Sequence, residues 1–448
     1  MSLKIVYLPI GVGTYHMDTA HEAFEKSAEL LKHLFGDEVV IPADILFSPD
    51  AVKEQMKGAS PDLVILQNIT FANAAYASEA LRHYEGPMVL WTLREPVGEA
   101  GGRLKLNSLT GTFSAANTYH QIRSDVPELI FGSPEEAAVA DQLQKICHVV
   151  RLMKAMRSLK IAQVGHTPQG FGFGRGLDAE IQKTFGAELV SIEARELIGR
   201  ALALTDEESL PAQKEAGEWI RGMEKTPEKN VRDFHRLLKA YQDWVGENGI
   251  GALSSRCWPD FFVEYGTPVC SVLSILNAVG TPCACEADTY GALSMWIGQQ
   301  LTDQACFFGD PVALDEEENT LTFWHCGMAA CSLAKPEEGA AVGVHPNRKI
   351  GPTMEFGTRA AAKASILRVG KDRNGAFRLL VIPAEVLDKP KQFLGTSCVT
   401  KLSAPVRETV QSLLEAGWEP HYAVVFGDVT DEIEILGRML NLPVTVVK

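Results

Sequence analysis

Hydrophobic and polar positions follow two patterns along the chain. KIVYLPI, DLVILQN and PMVLWTL are short unbroken apolar runs, as expected of parallel strands buried on both faces. HEAFEKSAELLKHLF repeats its apolar residues at helical spacing. The segment SPEEAAVADQLQKICHVVRLMKAMRSL reads as a helical connector, and a second alternation begins at LKIAQVG. It continues through the loop HTPQGFGFGRGLD, the helix AEIQKTF, the strand AELVSIEA and a helix from Pro227 to Trp244. GIGALSSRCWPD is a strand and loop, and CSVLSILNAVG is a helix stopped by Gly280. TPCACEAD ends a strand, and TYGALSMWIGQQL forms a helix. Alternating strands and helices predict mostly parallel sheets.

The texture changes after Asp310. NTLTFWHCG, SILRVGK, AFRLLVIPAEVLD and TSCVTKL are β-rich and punctuated by Gly, Pro and Asn, which predicts an antiparallel sheet or barrel. Two helices, RETVQSLLEAGW and EIEILGRML, and two strands, HYAVVFGD and PVTVVK, complete the chain. The predicted class is α/β, with two doubly wound α/β domains (1–156 and 157–310). A β-rich, barrel-like C-terminal domain (311–448) follows.

Composition narrows the function. Lys+Arg of 42 against Asp+Glu of 57 gives a net charge of −15, a poor match for nucleic acid or an anionic membrane. MSLKIVYLPIGVG reads as a strand entering a glycine loop rather than a secretory leader. No apolar run reaches membrane-spanning length. The nine cysteines are scattered, with Cys270, Cys283, Cys285 and Cys306 in apolar runs, which suits reduced thiols in a cytoplasm. Cys283-Ala-Cys285 has no second matched pair, so the spacing predicts no zinc site.

Two glycine motifs invite a nucleotide site and fail its tests. Gly11-Val12-Gly13 follows the first strand, but position 16 is His where a dinucleotide fingerprint needs Gly. Gly170, Gly172, Gly174 and Gly176 precede a helix without a following Gly-Lys-Ser/Thr, so a flexible loop is expected. Three polar residues in apolar surroundings carry more weight. Glu286 follows PCAC, Asp310 ends ACFFG, and His421 opens an apolar strand. A buried carboxylate needs a partner or a metal, and two carboxylates with an imidazole suit a Mn²⁺-type ion. Asp288, beside Thr289, reads as a helix N-cap. His325, next to Trp324, suits a sugar face and its hydroxyls, whereas His345 reads as a surface-loop histidine. Trp258, Trp91 and Trp324 are stacking or core residues.

The stretch CEADTYGALSMWIGQQLTDQACFFGD resembles the metal segment of the L-fucose isomerase / L-arabinose isomerase-like family. Its two carboxylates lie 310 − 286 = 24 residues apart, matching that family's spacing. His421 in HYAVVFGD, with EIEILGRMLNLPV after it, is similar to the family's third ligand. QNITFANA, LWTLREP, GGRLKLNSLTG, ARELIGRA, HTPQGFG and RCWPDF extend the likeness over most of the chain. The chain departs from the long fucose isomerases in being shorter and in carrying WHCG.

The resemblance implies a metal-dependent aldose–ketose isomerase acting on an open-chain sugar through a cis-enediol. It implies that Mn²⁺, or another divalent cation such as Co²⁺ or Mg²⁺, is held by Glu286 and Asp310 of the middle segment and His421 of the last. Glu286 and Asp310 would then be the acid/base pair, with His325, Trp258, Arg94 and Arg103 toward the substrate. A homo-oligomer (hexamer or trimer) with sites near subunit boundaries is also implied. Fucose- or arabinose-like aldoses are the first expectation for the substrate. The alternative is an anionic C6-modified sugar such as sulfoquinovose, its tail gripped by Arg94 and Arg103, which could equally form structural salt bridges. A non-catalytic sugar-binding or sensing protein and a dehydrogenase are the competing classes. The first predicts no need for the Glu/Asp/His set, and the second conflicts with the broken glycine fingerprint.

Overall fold

The computed structural model describes residues 2–98 and 101–447. The chain divides into two compact units, Met1–Ala155 with Glu434–Leu442, and Met156–Ile433 with Pro443–Lys448.

In the first unit five parallel strands pair in the order Val39–Val40, Ile5–Ile10, Leu63–Asn68, Met88–Thr92, Glu128–Phe131. This is a doubly wound order, and ligands of such sheets sit at the carboxyl ends of the strands. The apolar runs are buried as their lack of alternation predicts, with Leu8, Leu66 and Leu90 packed on Tyr76 and Tyr119. Where the dinucleotide fingerprint fails, His16 instead N-caps the helix Met17–Phe35, its side chain accepting from the Thr19 N–H. Trp91 is fully buried, and its indole N–H donates to Gly132 O at 2.9 Å, so it is core and not a sugar platform.

The second unit contains a four-stranded parallel sheet, ordered Cys283–Ala284, Ala252–Ser255, Lys160–Val164, Glu188–Ile192. It also contains a barrel. Strands Thr396–Leu402, Thr320–His325, Phe307–Asp315, Tyr422–Val425, Ala361–Lys371 and Phe377–Val386 pair in this order, each antiparallel to the next. The last pairs back with the first, so the ring closes and leaves those six strands without a free edge. Phe356–Gly357 and Val444–Val446 add parallel strands outside the ring.

The helix Thr289–Thr302 joins the two sheets. It is buried from Thr289 through Gly298, as expected of a helix apolar on every face. It packs on Ala252–Ser255 on one side and on the barrel strands Ala361–Lys371 and Tyr422–Val425 on the other. A Cβ at Gly291 would lie 2.5 Å from the Phe308 ring, so glycine permits the close approach. The change of texture near residue 310 therefore separates two sheets, not two compact units. Asp310 also does not end its strand, which runs on to Asp315 through a bulge between Pro311 and Ala313. Among the described residues no helix is long and apolar enough to cross a membrane.

Candidate active site

The site forms where the parallel sheet gives way to the helix Thr289–Thr302. Glu286 and Ala287 both take left-handed backbone, with φ of 51° and 52°. Such conformations cost about 1–3 kcal/mol each in non-glycine residues, and they gather at functional sites. The turn is held by two hydrogen bonds, Ala287 N–H to Ser255 O and Asp288 N–H to Cys285 O, each 3.0 Å. It leaves Glu286 only 9% exposed and places Asp288 at the helix N-cap.

Glu286, Asp310 and His421 converge. His421 Nε2 lies 3.2 Å from Asp310 Oδ1 and 4.0 Å from Glu286 Oε2. Behind the imidazole, His421 Nδ1 is 3.0 Å from Asp288 Oδ2. Asp288 caps the helix as expected, accepting from the Gly291 N–H at 2.8 Å, but it does more. It also takes two hydrogen bonds from the fully buried guanidinium of Arg368, at 2.7 and 3.2 Å. An ionised carboxylate only accepts, so Nδ1 carries the proton and Nε2 is turned toward Glu286 and Asp310. A carboxylate behind a histidine in this way fixes the tautomer of a metal-ligating imidazole.

Aromatic rings hold His421 from the sides. Phe173 and Phe308 meet it edge-on at 5.1 and 5.0 Å, and Phe171 tilts over it at 6.0 Å. Phe171 and Phe173 come from the glycine-rich loop after Lys160–Val164. A Cβ at Gly174 would lie 2.7 Å from the Asp288 Cα, so this loop is packed onto the site rather than a free connector.

His325 is buried, with Nε2 3.3 Å from Glu286 Oε2. Its Nδ1 accepts from the Cys326 N–H at 2.9 Å, so the Nε2 proton points at Glu286. The other Glu286 oxygen faces the Cys257 thiol at 3.7 Å. Cys257 Sγ, Cys285 Sγ and a Glu286 oxygen all lie within 4.8 Å of one another. Spacing along the chain could not foresee this group, because Cys283 stays out of it and Cys257 comes from another strand end.

The charges are strongly coupled. Burial works against ionising Glu286, but the His325 and His421 imidazoles outweigh it and bring its pKa down to about 2. Burial likewise opposes the Asp288 carboxylate, which Arg368 and His421 hold well below the aspartate range. Burial would neutralise His421, yet Asp288 and Asp310 push it up to about 10. The carboxylates thus create a site that retains a cation, by default the imidazolium proton.

Other expected residues fall elsewhere. Trp258 lies beside the aromatic loop, edge-on to Phe171 at 6.4 Å, with the Arg348 guanidinium 5.4 Å from its ring. Arg94 and Arg103 belong to the first unit. Arg94 is paired bidentately with Glu136 at 2.7 Å, and Arg103 donates to Thr14 O. His345 is not a surface histidine. It is 6% exposed, edge-on to Phe262 at 4.9 Å, and its Nδ1 accepts from the Asn347 and Arg348 N–H groups. Burial, with the Arg348 charge, lowers its pKa to about 4. A cavity of about 560 Å³ opens by the barrel; Asp310 and Glu419 line it together with Leu321, Phe323, Ile366 and Trp418, so its wall is apolar apart from these two carboxylates.

No family model matches the chain. Over 439 residues, 98% of each chain, it is 54% identical to the sulfoquinovose isomerase of Clostridium sp. (strain MSTE9). It is 39% identical over 447 residues, 99% of each chain, to the sulfoquinovose isomerase of Alkalicoccus urumqiensis. The sulfoquinovose isomerase of Priestia aryabhattai is 37% identical over 442 residues, 98% of each chain. With its α/β architecture and closed barrel, the protein is an aldose–ketose isomerase. The chain belongs to the sulfoquinovose isomerase family.

Proposed function

We propose that this isomerase interconverts sulfoquinovose and its ketose, with the reaction centred on Glu286, Asp310 and His421. The observation that carries the chemistry is the convergence of two carboxylates and one imidazole, the imidazole oriented by Asp288. The relatives' shared name favours the anionic sugar over the fucose- or arabinose-like substrates first expected.

Hard oxygen donors with one imidazole fit an ion of the Mn²⁺ type, and the depressed Glu286 carboxylate and proton-retaining His421 fit a cation at this point. Glu286, Asp310 and His421 would hold it. Such an ion supplies Lewis acidity toward adjacent sugar oxygens and offsets the charge of an enediolate. The residues do the rest. Of Glu286 and Asp310, one takes the proton from C2 and the other serves the C1 side. His325, donating to Glu286 Oε2, keeps that carboxylate ionised and oriented. The aromatic wall of Phe171, Phe173 and Trp258 limits water beside His421.

A sulfonate needs a cation that no carboxylate already holds. Arg94 is held by Glu136. Arg348 has no ion-pair partner among the described residues, and it lies over Trp258 at the edge of the aromatic wall. It is the proposed sulfonate contact. A reducing compartment and a homo-oligomer belong to the same reading. The test is a panel of aldoses (sulfoquinovose, glucose, fucose, arabinose) with Mn²⁺, followed for ketose formation. Sulfoquinovose should give the highest kcat/KM. A neutral sugar turning over faster would overturn the assignment of substrate and leave the isomerase chemistry intact.

A further inference from the structure

The Glu286 carboxylate faces two ways. Oε2 is turned to His325 and His421, the nitrogen and oxygen side of the site. Oε1 is turned to the Cys257 thiol, and Cys285 completes a group of three donors within 4.8 Å of one another. Cys257 and Cys285 are 3% and 1% exposed, and neither is in a disulfide.

We infer that Cys257, Cys285 and Glu286 Oε1 form a second, inhibitory metal site, selective for thiophilic ions such as Zn²⁺ and Cd²⁺. Two sulfurs and one oxygen are three of the four ligands of a tetrahedral site. Zinc–sulfur bonds of about 2.3 Å place tetrahedral sulfurs about 3.8 Å apart, so the donors need move by about an ångström at most. Binding exchanges two thiol protons for the ion and releases both to solvent. Hard ions such as Mn²⁺ and Mg²⁺ prefer the oxygen side, so the two sites discriminate by ligand softness while sharing one carboxylate. An ion on the sulfur side draws Glu286 away from His421 and Asp310. Thiophilic metals should therefore inhibit the enzyme without occupying the Asp310–His421 side.

The test is titration of the metal-free, full-length protein with Cd²⁺, read by the ultraviolet thiolate-to-cadmium charge-transfer band. The wild type should saturate at one equivalent with the intensity of two thiolates. Cys257→Ser and Cys285→Ala should each lose the band, whereas Cys147→Ser, in the other unit, should keep it. Thermal melts identify a variant that has not folded, and either folded variant suffices. No band in the wild type, or an undiminished band in a folded variant, overturns the site. With Mn²⁺ present, Zn²⁺ should inhibit the wild type at a concentration at least tenfold lower than it inhibits Cys257→Ser. Equal sensitivity overturns the inhibitory role. The cadmium band requires no turnover, so it tests the site even if the proposed substrate is wrong.

Discussion

His421 turns its Nδ1 to Asp288 Oδ2 at 3.0 Å, and Asp288 is itself gripped by the buried Arg368. One aspartate thus caps a helix, neutralises a buried guanidinium and fixes which nitrogen of His421 is available. Its replacement separates these roles. Asn can still cap the helix, but it carries no charge for Arg368 or the imidazole. Asp288→Asn should weaken divalent-ion affinity by about 10–100-fold. It should also destabilise the fold by about 3–5 kcal/mol, since a buried ion pair loses one partner. Calorimetric metal titration and denaturant unfolding measure the two effects separately.

Stability of the metal-free protein should depend on pH in the alkaline range. His421 is raised from 6.5 to about 10 in the folded state. Its contribution is therefore full below pH 6.5 and is lost as pH rises through about 10. Glu286 is depressed from 4.5 to about 2, so its contribution is present above pH 4.5 and lost as pH falls through 2. Metal-free protein should melt at falling temperature from pH 7 to pH 10. A His421→Gln variant should show a flatter profile, and identical slopes would remove His421 as the cause.

Arg348→Met tests substrate charge. A charge-assisted hydrogen bond is worth about 1.5–3 kcal/mol, so kcat/KM for sulfoquinovose should fall by about 10–150-fold, mainly through KM. Turnover of a neutral aldose should change little. Equal losses on both sugars would mean that Arg348 acts on the fold and not on the sulfonate.

Gly174→Ala tests the loop. The added methyl would meet the Asp288 Cα at 2.7 Å and its Cβ at 2.9 Å. Overpacking of this kind costs about 1–3 kcal/mol, and it should displace Asp288 from His421. Both melting temperature and metal affinity should drop. A silent substitution would show that the loop is free to move aside.

Glu286, Asp310 and His421 were legible because each is a charged or titratable residue beside an apolar run; burial demands a partner for Glu286 and His421, whereas Asp310 stands at the point where its strand emerges from the core. The strands and most helices were legible for the converse reason, since their periods survive in unbroken stretches. What orients the trio was not. Arg368 stands in the apolar run Ile366, Leu367 and Val369, and that run could have marked it as a buried charge seeking a carboxylate. The approach of Gly174 to Asp288, the burial of His345 and the meeting of Cys257 with Cys285 arise from tertiary packing and leave no local trace. The apolar run stops at Asp310, but backbone pairing with Thr320–Phe323 carries the strand on without burial.

The most direct measurement of the central claim is ketose formation from sulfoquinovose before and after complete chelation, with the wild type beside Glu286→Gln. Stripped wild type should be inert and should recover on adding Mn²⁺. Glu286→Gln should stay folded and lose at least 10²-fold in kcat with Mn²⁺ present, the lower bound for a general acid–base group of about 10²–10⁴. Full turnover by the stripped enzyme, or near-normal turnover by the folded variant, would contradict a reaction centred on Glu286, Asp310 and His421.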